Sequence, residues 1–207
     1  MRILKEGYLF IVLPLVLGLM VFIIGGSRFS VAVGILFILV SLFCIYFFRD
    51  PQIEVTKGKN LVISPCNGTV LDVSENEKEK VVRVFLSLLD VHLQRSPIEG
   101  KVVGVEYKRG KFLLAMKEQA HIVNEQNIIT IENENGKYFV KQIAGVLARR
   151  CVSWVKSGDV LEQGDKIGMI KFSSQVDLHM PKTVNIKVKR GNKVRAGITV
   201  FATYNNN

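Results

Sequence analysis

The first quarter of the chain consists of two long apolar segments separated by a short break. Residues 8–24 are almost wholly apolar, and residues 29–48 contain no acidic or basic side chain. Between them lies Gly-Gly-Ser-Arg at positions 25–28, a sequence typical of a turn. Each segment approaches the roughly 20 residues that a helix needs to cross a bilayer. The pattern predicts a membrane-embedded helical hairpin over residues 1–48, formed by two spans or by a re-entrant pair.

A signal peptide and a buried soluble hairpin both fit these segments less well. A cleaved signal peptide is followed by a polar mature chain, whereas here a second apolar segment follows the first. A hairpin buried inside a soluble domain would require about 40 apolar residues to be covered on all sides. The membrane hairpin is therefore favoured.

Basic side chains flank the predicted hairpin. Arg2 and Lys5 precede the first segment, Arg49 and Lys57 follow the second, and the turn carries only Arg28. Because basic residues near membrane segments concentrate on the cytoplasmic side, both ends of the hairpin are expected there. The rest of the chain is therefore predicted to lie on the cytoplasmic side of the cell membrane.

The remaining residues, 49–207, form the second predicted domain, in which short β-branched or alternating runs are separated by turn residues. The runs lie at residues 61–63, 81–86, 128–131, 138–140 and 184–189, and the turns at 65–68, 135–136 and 190–192. Helical periodicity is scarce and is best at residues 115–123. This domain is predicted to be mainly β.

A repeated turn narrows the fold class. Gly158-Asp159 and Gly164-Asp165 occur close together, with apolar residues stepping between them. This pattern resembles the hammerhead of lipoyl-type β-sandwiches, and residues 62–73 resemble the opening strand of that architecture. The predicted fold is a mainly β, lipoyl-like hammerhead β-sandwich preceded by the helical hairpin.

The charge balance indicates an anionic partner. The chain has 207 residues, 48% of them hydrophobic, and 28 basic against 18 acidic side chains. The first 48 residues hold only three basic side chains and one acidic one, so residues 49–207 keep a net charge of +8. No basic motif interleaved with aromatic residues is present, which favours anionic lipid over nucleic acid as the partner. Three cysteines without C-x-x-C spacing give no sign of a disulfide framework or a zinc site.

A basic run near the end of the chain is a candidate lipid contact. It contains no acidic residue, and its members are Lys182, Lys187, Lys189, Arg190, Lys193 and Arg195. Strand alternation puts Lys187 and Lys189 on the solvent face. They either help to hold the domain on anionic lipid or are simply solvated.

Two adjacent serines form the first candidate for chemistry. Ser173 and Ser174 follow the repeated Gly-Asp turn. A serine that follows a small residue at a tight turn can attack the preceding carbonyl with its hydroxyl, and strain in the turn favours this step. The resulting ester can undergo β-elimination, and hydrolysis then leaves a pyruvoyl group. The alternative is an ordinary strand that contains two serines.

A histidine and a pair of arginines form two further candidates. His92 lies between Asp90 and Arg95, where an imidazole can titrate near neutral pH, although it could equally be an exposed loop histidine without a function. Arg149 and Arg150 close an unusual string at residues 142–150 and are suited to pair with a carboxylate or a phosphate.

Several short motifs occur in a fixed order along the chain. They are Phe-Phe-Arg-Asp-Pro (47–51), Ser-Pro-x-x-Gly (64–68), Phe-Leu-Ser-x-Leu-Asp-Val-His (85–92), Asn-Glu (124–125), Gln-Ile-Ala-Gly-x-x-Ala-Arg-Arg (142–150) and Gly-Met-Ile-x-Phe-x-Ser-x-Val-Asp (168–177). In this order, after a hydrophobic hairpin, they resemble the phosphatidylserine decarboxylase proenzymes. The resemblance is to the short form, which includes archaetidylserine decarboxylase-like proteins.

This resemblance implies a membrane-bound proenzyme that cleaves itself between Ser173 and Ser174. The large chain 1–173 and the small chain 174–207 remain associated, and Ser174 becomes a covalent pyruvoyl group, so that no external cofactor or metal is needed. The pyruvoyl ketone forms a Schiff base with the amine of an aminophospholipid and acts as an electron sink while CO2 leaves. The resemblance assigns His92 as the general acid/base, and the products are phosphatidylethanolamine, or an archaeal ether-lipid analogue, and CO2.

Three positions depart from the family pattern. Ser173 stands where relatives usually have Gly, Asn67 where they commonly have Asp, and Arg95 where longer relatives have a second His. The base for self-cleavage is therefore open between His92 and His179, and a regular strand would place His179 on the face opposite Ser174. The departures leave a second hypothesis, an unprocessed relative that acts as a membrane-tethered binding scaffold. A lipoyl-like membrane adaptor is a third, but it gives no reason for the His92 motif.

Overall fold

The computed structural model describes residues 2–111, 120–145, 151–172 and 174–204. The chain divides into two units, one up to residue 52 and one from residue 53 onward. The first unit holds the elements β1 (Arg2–Ile3), a short 3-10 helix (Lys5–Gly7), α1 (Tyr8–Ile24), α2 (Arg28–Phe47) and β2 (Arg49–Asp50). Because β1 and β2 pair antiparallel, residues 49–52 belong with the hairpin.

The predicted helical hairpin is confirmed, with the turn at the expected glycines. Gly25 follows the end of α1, and Ser27 caps α2 by accepting a hydrogen bond from the Ser30 backbone N–H while the Ser30 hydroxyl accepts one from the Ser27 N–H. This reciprocal capping box satisfies two amide groups at the start of the second helix. The turn is therefore fixed by its own side chains.

Small residues hold the two helices together. A Cβ at Gly18 would lie 3.0 Å from the Gly34 carbonyl oxygen, and the Ser41 hydroxyl donates to the Ile11 carbonyl across the interface at 2.8 Å. Close approach of this kind is typical of helix packing in lipid. Large apolar side chains, among them Leu9 and Phe29, are exposed on the outer surfaces. The stretches Lys5–Ile24 and Arg28–Phe47 are long and apolar enough to cross a membrane.

The second unit is built almost entirely of strands, which confirms the predicted mainly β class. In chain order they are β3 (Leu61–Ile63), β4 (Gly68–Glu75), β5 (Glu79–Leu86), β6 (Leu93–Arg95), β7 (Gly100–Lys108), β8 (Gln126–Asn133), β9 (Gly136–Ala144), β10 (Cys151–Ser153), β11 (Val160–Leu161), β12 (Lys166–Ile170), β13 (Ser174–Pro181), β14 (Val184–Ile186), β15 (Lys193–Val194) and β16 (Val200–Tyr204). A short helix, α3 (Ala120–Val123), precedes β8.

Three sheets enclose the core of this unit. Among the described residues, the main sheet has the order β11-β7-β8-β9-β13-β5-β4-β15, and two smaller sheets have the orders β10-β12-β6 and β14-β16-β3. The core draws side chains from all three, including Val84 from the main sheet, Ile170 from β12 and Phe201 from β16. The Tyr138 hydroxyl donates to that of Tyr204 at 2.7 Å and so links two of the sheets.

The predicted opening strand over residues 62–73 is wrong in one respect, because it is two strands in different sheets. Strand β3 ends at Ile63 and β4 begins at Gly68, with Pro65 between them. Proline offers no N–H to a strand partner. Gly68 has a φ of +150°, which a side chain would oppose. The chain therefore turns a corner here.

The two Gly-Asp turns have the same construction. The Asp159 carboxylate accepts a hydrogen bond from the Lys156 N–H at 2.9 Å, and the Asp165 carboxylate accepts one from the Glu162 N–H at 2.8 Å. Each aspartate thus closes the turn over the residue three positions before it. The repeat seen in the sequence is a repeated turn in the structure.

Two smaller predictions have mixed outcomes. The predicted helical stretch 115–123 is described only from residue 120, where α3 begins. Lys187 and Lys189 are both exposed, as predicted, but β14 ends at Ile186, so that the predicted strand 184–189 is too long.

The close approach at Gly68 generates a stability prediction. A Cβ there would lie 2.2 Å from the Phe85 carbonyl oxygen, whereas Gly158, also with a positive φ, faces open space. We expect Gly158→Ala to lower the melting temperature in detergent by about 3 °C, the effect of about 1 kcal/mol of backbone strain. Gly68→Ala should lower it at least about twice as far, because β4 must also shift from β5. Equal shifts for the two variants would contradict this account of Gly68.

Candidate active site

Ser174 is the first residue of β13, a strand paired on both sides. It lies opposite Leu86, the last residue of β5, and opposite Ala144, the last residue of β9. Its side chain is fully buried, and its hydroxyl has no hydrogen-bond partner among the described residues. In the main sheet, Ser174 therefore lies between residues of two other motifs that are far from it in the sequence, the motif that ends in His92 and the one that begins at Gln142.

The loop after β5 carries His92 back toward the same place. The Asp90 carboxylate accepts hydrogen bonds from the Ser87 N–H (2.8 Å) and hydroxyl (2.7 Å), which fixes the start of the loop. His92 is buried, only 1% exposed, so that it is not an exposed loop histidine. Its Nδ1 lies 3.0 Å from the Asp90 carbonyl oxygen. A neutral imidazole that donates from Nδ1 has Nε2 as its acceptor nitrogen.

The short segment between β12 and β13 joins the two candidates. Ile170 donates its N–H to the His92 carbonyl at 3.2 Å, and the chain reaches Ser174 four residues later. Phe172, within this segment, has a φ of +62°, a left-handed conformation that is strained for a bulky side chain. Ser173 itself lies outside the described residues, as do Arg149 and Arg150.

A chain of buried amides lies behind His92. The Gln94 Nε2 donates to the His92 carbonyl (2.9 Å), the Gln142 Nε2 donates to the Gln94 Oε1 (2.8 Å), and the Asn127 Nδ2 donates to the Gln142 Oε1 (2.7 Å). The chain runs from the main sheet to β6, so that it couples the loop of His92 to the sheet that holds Ser174. Sequence reasoning missed it, although Gln142 opens one of the motifs.

Two of the three positions that depart from the family pattern, Asn67 and Arg95, have hydrogen-bond partners in the structure. The Asn67 Oδ1 accepts a hydrogen bond from the Ala196 N–H at 2.9 Å, so that it holds the chain after β15. Arg95 is buried, and its guanidinium donates to the Gly164 carbonyl at 2.8 Å, in the second Gly-Asp turn. Each of these side chains thus has a bond to the backbone, and neither bond involves His92.

The opposite face of β13 carries a separate cluster of buried charges. Asp177 is 1% exposed, with its carboxylate 3.5 Å from the Arg83 Nε and 2.6 Å from the donating Gln175 Nε2. Burial raises the pKa of Asp177 to about 6, although Gln175, Arg83 and Lys141 act in the other direction. The cluster does not share a face with Ser174, since alternate residues of a strand point to opposite sides.

His179 belongs to this back face. Its Nδ1 lies 2.7 Å from the Glu79 carboxylate, and burial lowers the pKa of the imidazole. The position five residues after Ser174 on an unbroken strand agrees with the predicted opposite face. His179 thus lies on the back face, whereas His92 lies in the loop that follows Leu86, the residue opposite Ser174.

Glu125 lies near Ser174 in the main sheet, a position that its Asn-Glu motif did not predict. Its backbone carbonyl accepts a hydrogen bond from the Ala144 N–H at 2.9 Å. Glu125 therefore lies beside Ala144, on the side away from Ser174. The carboxylate is buried, and its Oε1 has no hydrogen-bond partner among the described residues. A hydrogen bond from the Tyr107 hydroxyl to Glu125 raises the pKa of the tyrosine.

Comparison with known proteins agrees with this arrangement. Residues 40–202 match the family model for phosphatidylserine decarboxylase. A phosphatidylserine decarboxylase proenzyme of Carboxydothermus hydrogenoformans is 41% identical over 205 residues, covering 95% of this chain and 94% of the relative. The chain belongs to the phosphatidylserine decarboxylase family. Proenzymes of Wolbachia from Brugia malayi (38% identical, 97% and 90% covered) and of Solibacter usitatus (39%, 86% and 85% covered) are also similar.

Membership of the phosphatidylserine decarboxylase family makes the chain a decarboxylase, and its relatives carry the name proenzyme. The matched residues include Leu86, Glu125, Ala144 and Ser174, each from a different motif. These four residues lie side by side at one end of the main sheet. This end is the candidate active site.

The buried carboxylate of Asp177 generates a pH prediction. Its folded-state pKa of about 6 lies above the unfolded value near 3.8, so its protonated form is favoured in the folded state. The contribution of this group to the free energy of unfolding is largest below about pH 4. It falls by about 3 kcal/mol as the pH rises from there through 6. Asp177→Asn should remove this part of the pH dependence in urea unfolding of the detergent-solubilised protein.

The control for this prediction is Asp72→Asn, which removes the half-exposed carboxylate that also pairs with Arg83. It should lower the slope between pH 4 and 6 only slightly, because the Asp72 charge raises the pKa of Asp177 and has the smallest effect among the groups that shift it. A slope that is the same with and without the Asp177 carboxyl would contradict the assignment.

Proposed function

We propose that this chain is a self-processing, pyruvoyl-dependent phosphatidylserine decarboxylase that converts phosphatidylserine to phosphatidylethanolamine and CO2 at the cell membrane. The observation that carries the proposal is the position of Ser174, which is buried between strand residues that belong to two other family motifs. Because the chemistry touches only the lipid headgroup, an archaeal ether-linked serine lipid is an equivalent substrate. The reaction forms part of phospholipid biosynthesis.

The surroundings of Ser174 fit the formation of a pyruvoyl group. The hydroxyl is buried and without a hydrogen-bond partner among the described residues, so it is not engaged in another structural role. The residue two positions before it, Phe172, has a strained backbone. Strain next to a scissile bond lowers the cost of reaching the transition state. Both observations favour cleavage between Ser173 and Ser174.

The self-cleavage step balances without an external reagent other than water. The Ser174 oxygen attacks the carbonyl carbon of residue 173, the peptide C–N bond breaks, and the hydroxyl proton passes to the nitrogen. Loss of the Cα proton and rupture of the Cβ–O bond release the large chain as a carboxylate. Water then replaces the nitrogen of residue 174, which leaves as ammonia. The new ketone supplies an electron-withdrawing carbonyl for decarboxylation.

His92 is the proposed general acid/base. Its Nδ1 is committed to the Asp90 carbonyl, which sets the ring orientation and directs proton exchange to Nε2. The amide chain through Gln94 and Gln142 holds its backbone, so that the ring position depends on the same sheet as Ser174. We assign no role in self-cleavage to His179, because its strand position and its Glu79 partner place it on the back face.

The proposed location is the cell membrane, with the second unit on the cytoplasmic side. Two helices of sufficient length with exposed apolar side chains support embedding of the hairpin. Basic residues at both ends of the hairpin support the orientation. The partners are the aminophospholipid, the membrane and the two chains of one precursor, 1–173 and 174–207.

One observation favours a second function, an unprocessed scaffold tethered to the membrane. Asn67 replaces an aspartate that relatives commonly have, and its side chain is bonded to the Ala196 backbone. A neutral amide cannot stabilise an imidazolium by charge. If self-cleavage depended on that charge, this chain would remain intact and inactive.

The intact mass of the protein in detergent distinguishes these two functions. Processing predicts two chains, with the 34-residue fragment from Ser174 lighter than its unmodified sequence by one ammonia, about 17 Da. Ser174→Ala should remove both cleavage and decarboxylation. Ser173→Ala should still cleave, because only the backbone carbonyl of residue 173 takes part. A single intact chain at several pH values would establish the scaffold instead.

The role of His92 is tested against a matched buried histidine. His92→Ala should lower the decarboxylation rate by about 100-fold or more, the usual contribution of a positioned acid/base. His179→Ala removes an equally buried imidazole from the back face and should retain cleavage and turnover. Cleavage and turnover are scored separately by mass and by CO2 release. Unchanged turnover of His92→Ala would exclude it from the mechanism.

A further inference from the structure

The described part of the second unit has two unlike ends. Residues that lie opposite one another on neighbouring strands of the main sheet form a row across it. We define the Ser174 end as the strand ends in the row that contains Ser174, and the far end as the strand ends in the row that contains Pro181. Strand β13 separates the two rows by about 24 Å. The Ser174 end includes Leu86, Ala144 and Gly68 from neighbouring strands. The far end includes Glu79 and the turns that join β4 to β5 and β8 to β9.

Exposed apolar side chains lie at the Ser174 end. Leu89 is 65% exposed, three residues beyond the last residue of β5. Ile122 is 70% exposed and lies four residues before Gln126, the first residue of β8. Gln126 is opposite Ile143, the residue before Ala144. Tyr107, near the end of β7, is 53% exposed. Large apolar side chains exposed at one end of a sheet are typical of an interaction surface.

Exposed cations lie at the same end, near the two edges of the main sheet. They lie at the end of β7 and after it, and in β15 and after it, and they are Lys108, Arg109, Lys111, Lys193 and Arg195. Of these, Lys108 is paired with the exposed Glu106 at 3.5 Å. Lys193 and Arg195 have no ion pair with any residue that the structure describes. The far end has a different character, because its lysines alternate with five glutamates: Glu75, Glu77, Glu79, Glu132 and Glu134. The cationic excess is therefore at the Ser174 end.

The chain also enters the second unit at this end. The Thr56 N–H donates to the Gly197 carbonyl at 2.9 Å, and the Thr56 hydroxyl donates to the Ile198 carbonyl at 3.0 Å. Gly197 follows Ala196, which is bonded to Asn67 just before β4. The covalent connection to residues 1–52 thus leaves the second unit close to its Ser174 end.

We propose that the Ser174 end is a membrane-docking face, which lays Leu89 and Ile122 into the apolar boundary of a bilayer rich in anionic phospholipid while the five cations contact its headgroups. Exposed apolar side chains with Lys and Arg at the same end match such an interface, whereas a nucleic acid would leave the apolar side chains exposed. The inference rests on the proposed function and deepens it. A docked face brings the serine headgroup to the active site without the lipid leaving the bilayer.

Tryptophan quenching tests the docking directly. In a Trp154→Phe background, Leu89→Trp, Ile122→Trp and Val160→Trp each give the full chain a single tryptophan, and Val160 is an 80% exposed apolar residue paired to Lys101 near the far end. The chain is placed in nanodiscs of phosphatidylcholine and phosphatidylglycerol with brominated acyl chains. We expect quenching at positions 89 and 122 to be at least about twofold that at 160, because docked side chains reach about 5–10 Å into the boundary. Equal quenching at the three positions would overturn the proposal.

Charge reversal provides the second test. Lys193→Glu with Arg195→Glu should lower the decarboxylation rate in the anionic nanodiscs by about tenfold and leave the rate in neutral detergent micelles unchanged. Lys78→Glu with Lys101→Glu reverses two exposed cations at the far end and should change neither rate. An equal loss for both pairs would count against docking.

The docking inference and the proposed function can fail separately. Quenching requires no turnover, so it decides the docking even for an inactive chain. A chain that is inactive in neutral micelles refutes the decarboxylase function alone. An active chain with equal quenching at all three positions refutes the docking face alone.

Discussion

The double pairing of β13 is the constraint on which the site depends. Eight residues of this strand, Ser174–Pro181, are aligned with β5 over their full length and with β9 over the first six. A strand with partners on both sides cannot slip by one residue without turning its side chains to the wrong face. Ser174 is therefore held in one position, buried beside Leu86 and Ala144, before any chemistry takes place.

The two faces of β13 carry different kinds of side chain. Val176, Leu178 and Met180 point to the core with Ser174, and their burial stabilises the sheet. Asp177 and His179 point to the other side, where buried charges meet partners on neighbouring strands. The division keeps the titratable groups of the back face away from the Ser174 hydroxyl. The buried His92 lies in the loop that follows β5, whose last residue is opposite Ser174.

The sequence was informative where a local pattern determines structure. The apolar segments and their glycine turn predicted the hairpin, and β-branched runs predicted strands such as β3 and β8. Ser174 and His92 were predicted as site residues from short motifs that resemble a family. Such motifs do not show which residues become neighbours in the fold. The turn at residues 65–68 was predicted from Pro65 and Gly68, but the pattern did not show that the strands on its two sides belong to different sheets.

Long-range partners could not be read from the chain. The amide chain from Asn127 through Gln142 to Gln94 joins residues up to 48 positions apart, and each glutamine alone is an ordinary strand residue. The burial of His92 and the partner of Asn67 likewise depend on which strands become neighbours. Pairing order in a sheet is set by the whole core, and no local pattern encodes it.

The place of the proposed cut has a consequence for the mature protein. The bond between residues 173 and 174 lies between β12 of a small sheet and β13 of the main sheet, so its cleavage opens no strand pairing. The small fragment would contribute β13 and β15 to the main sheet and β14 and β16 to another, so it could leave only if all four strands lost their partners. The processed protein is a split protein whose halves are interleaved, and its unfolding becomes a dissociation that depends on concentration. Once separated, the halves would have to find each other again before the fold could re-form.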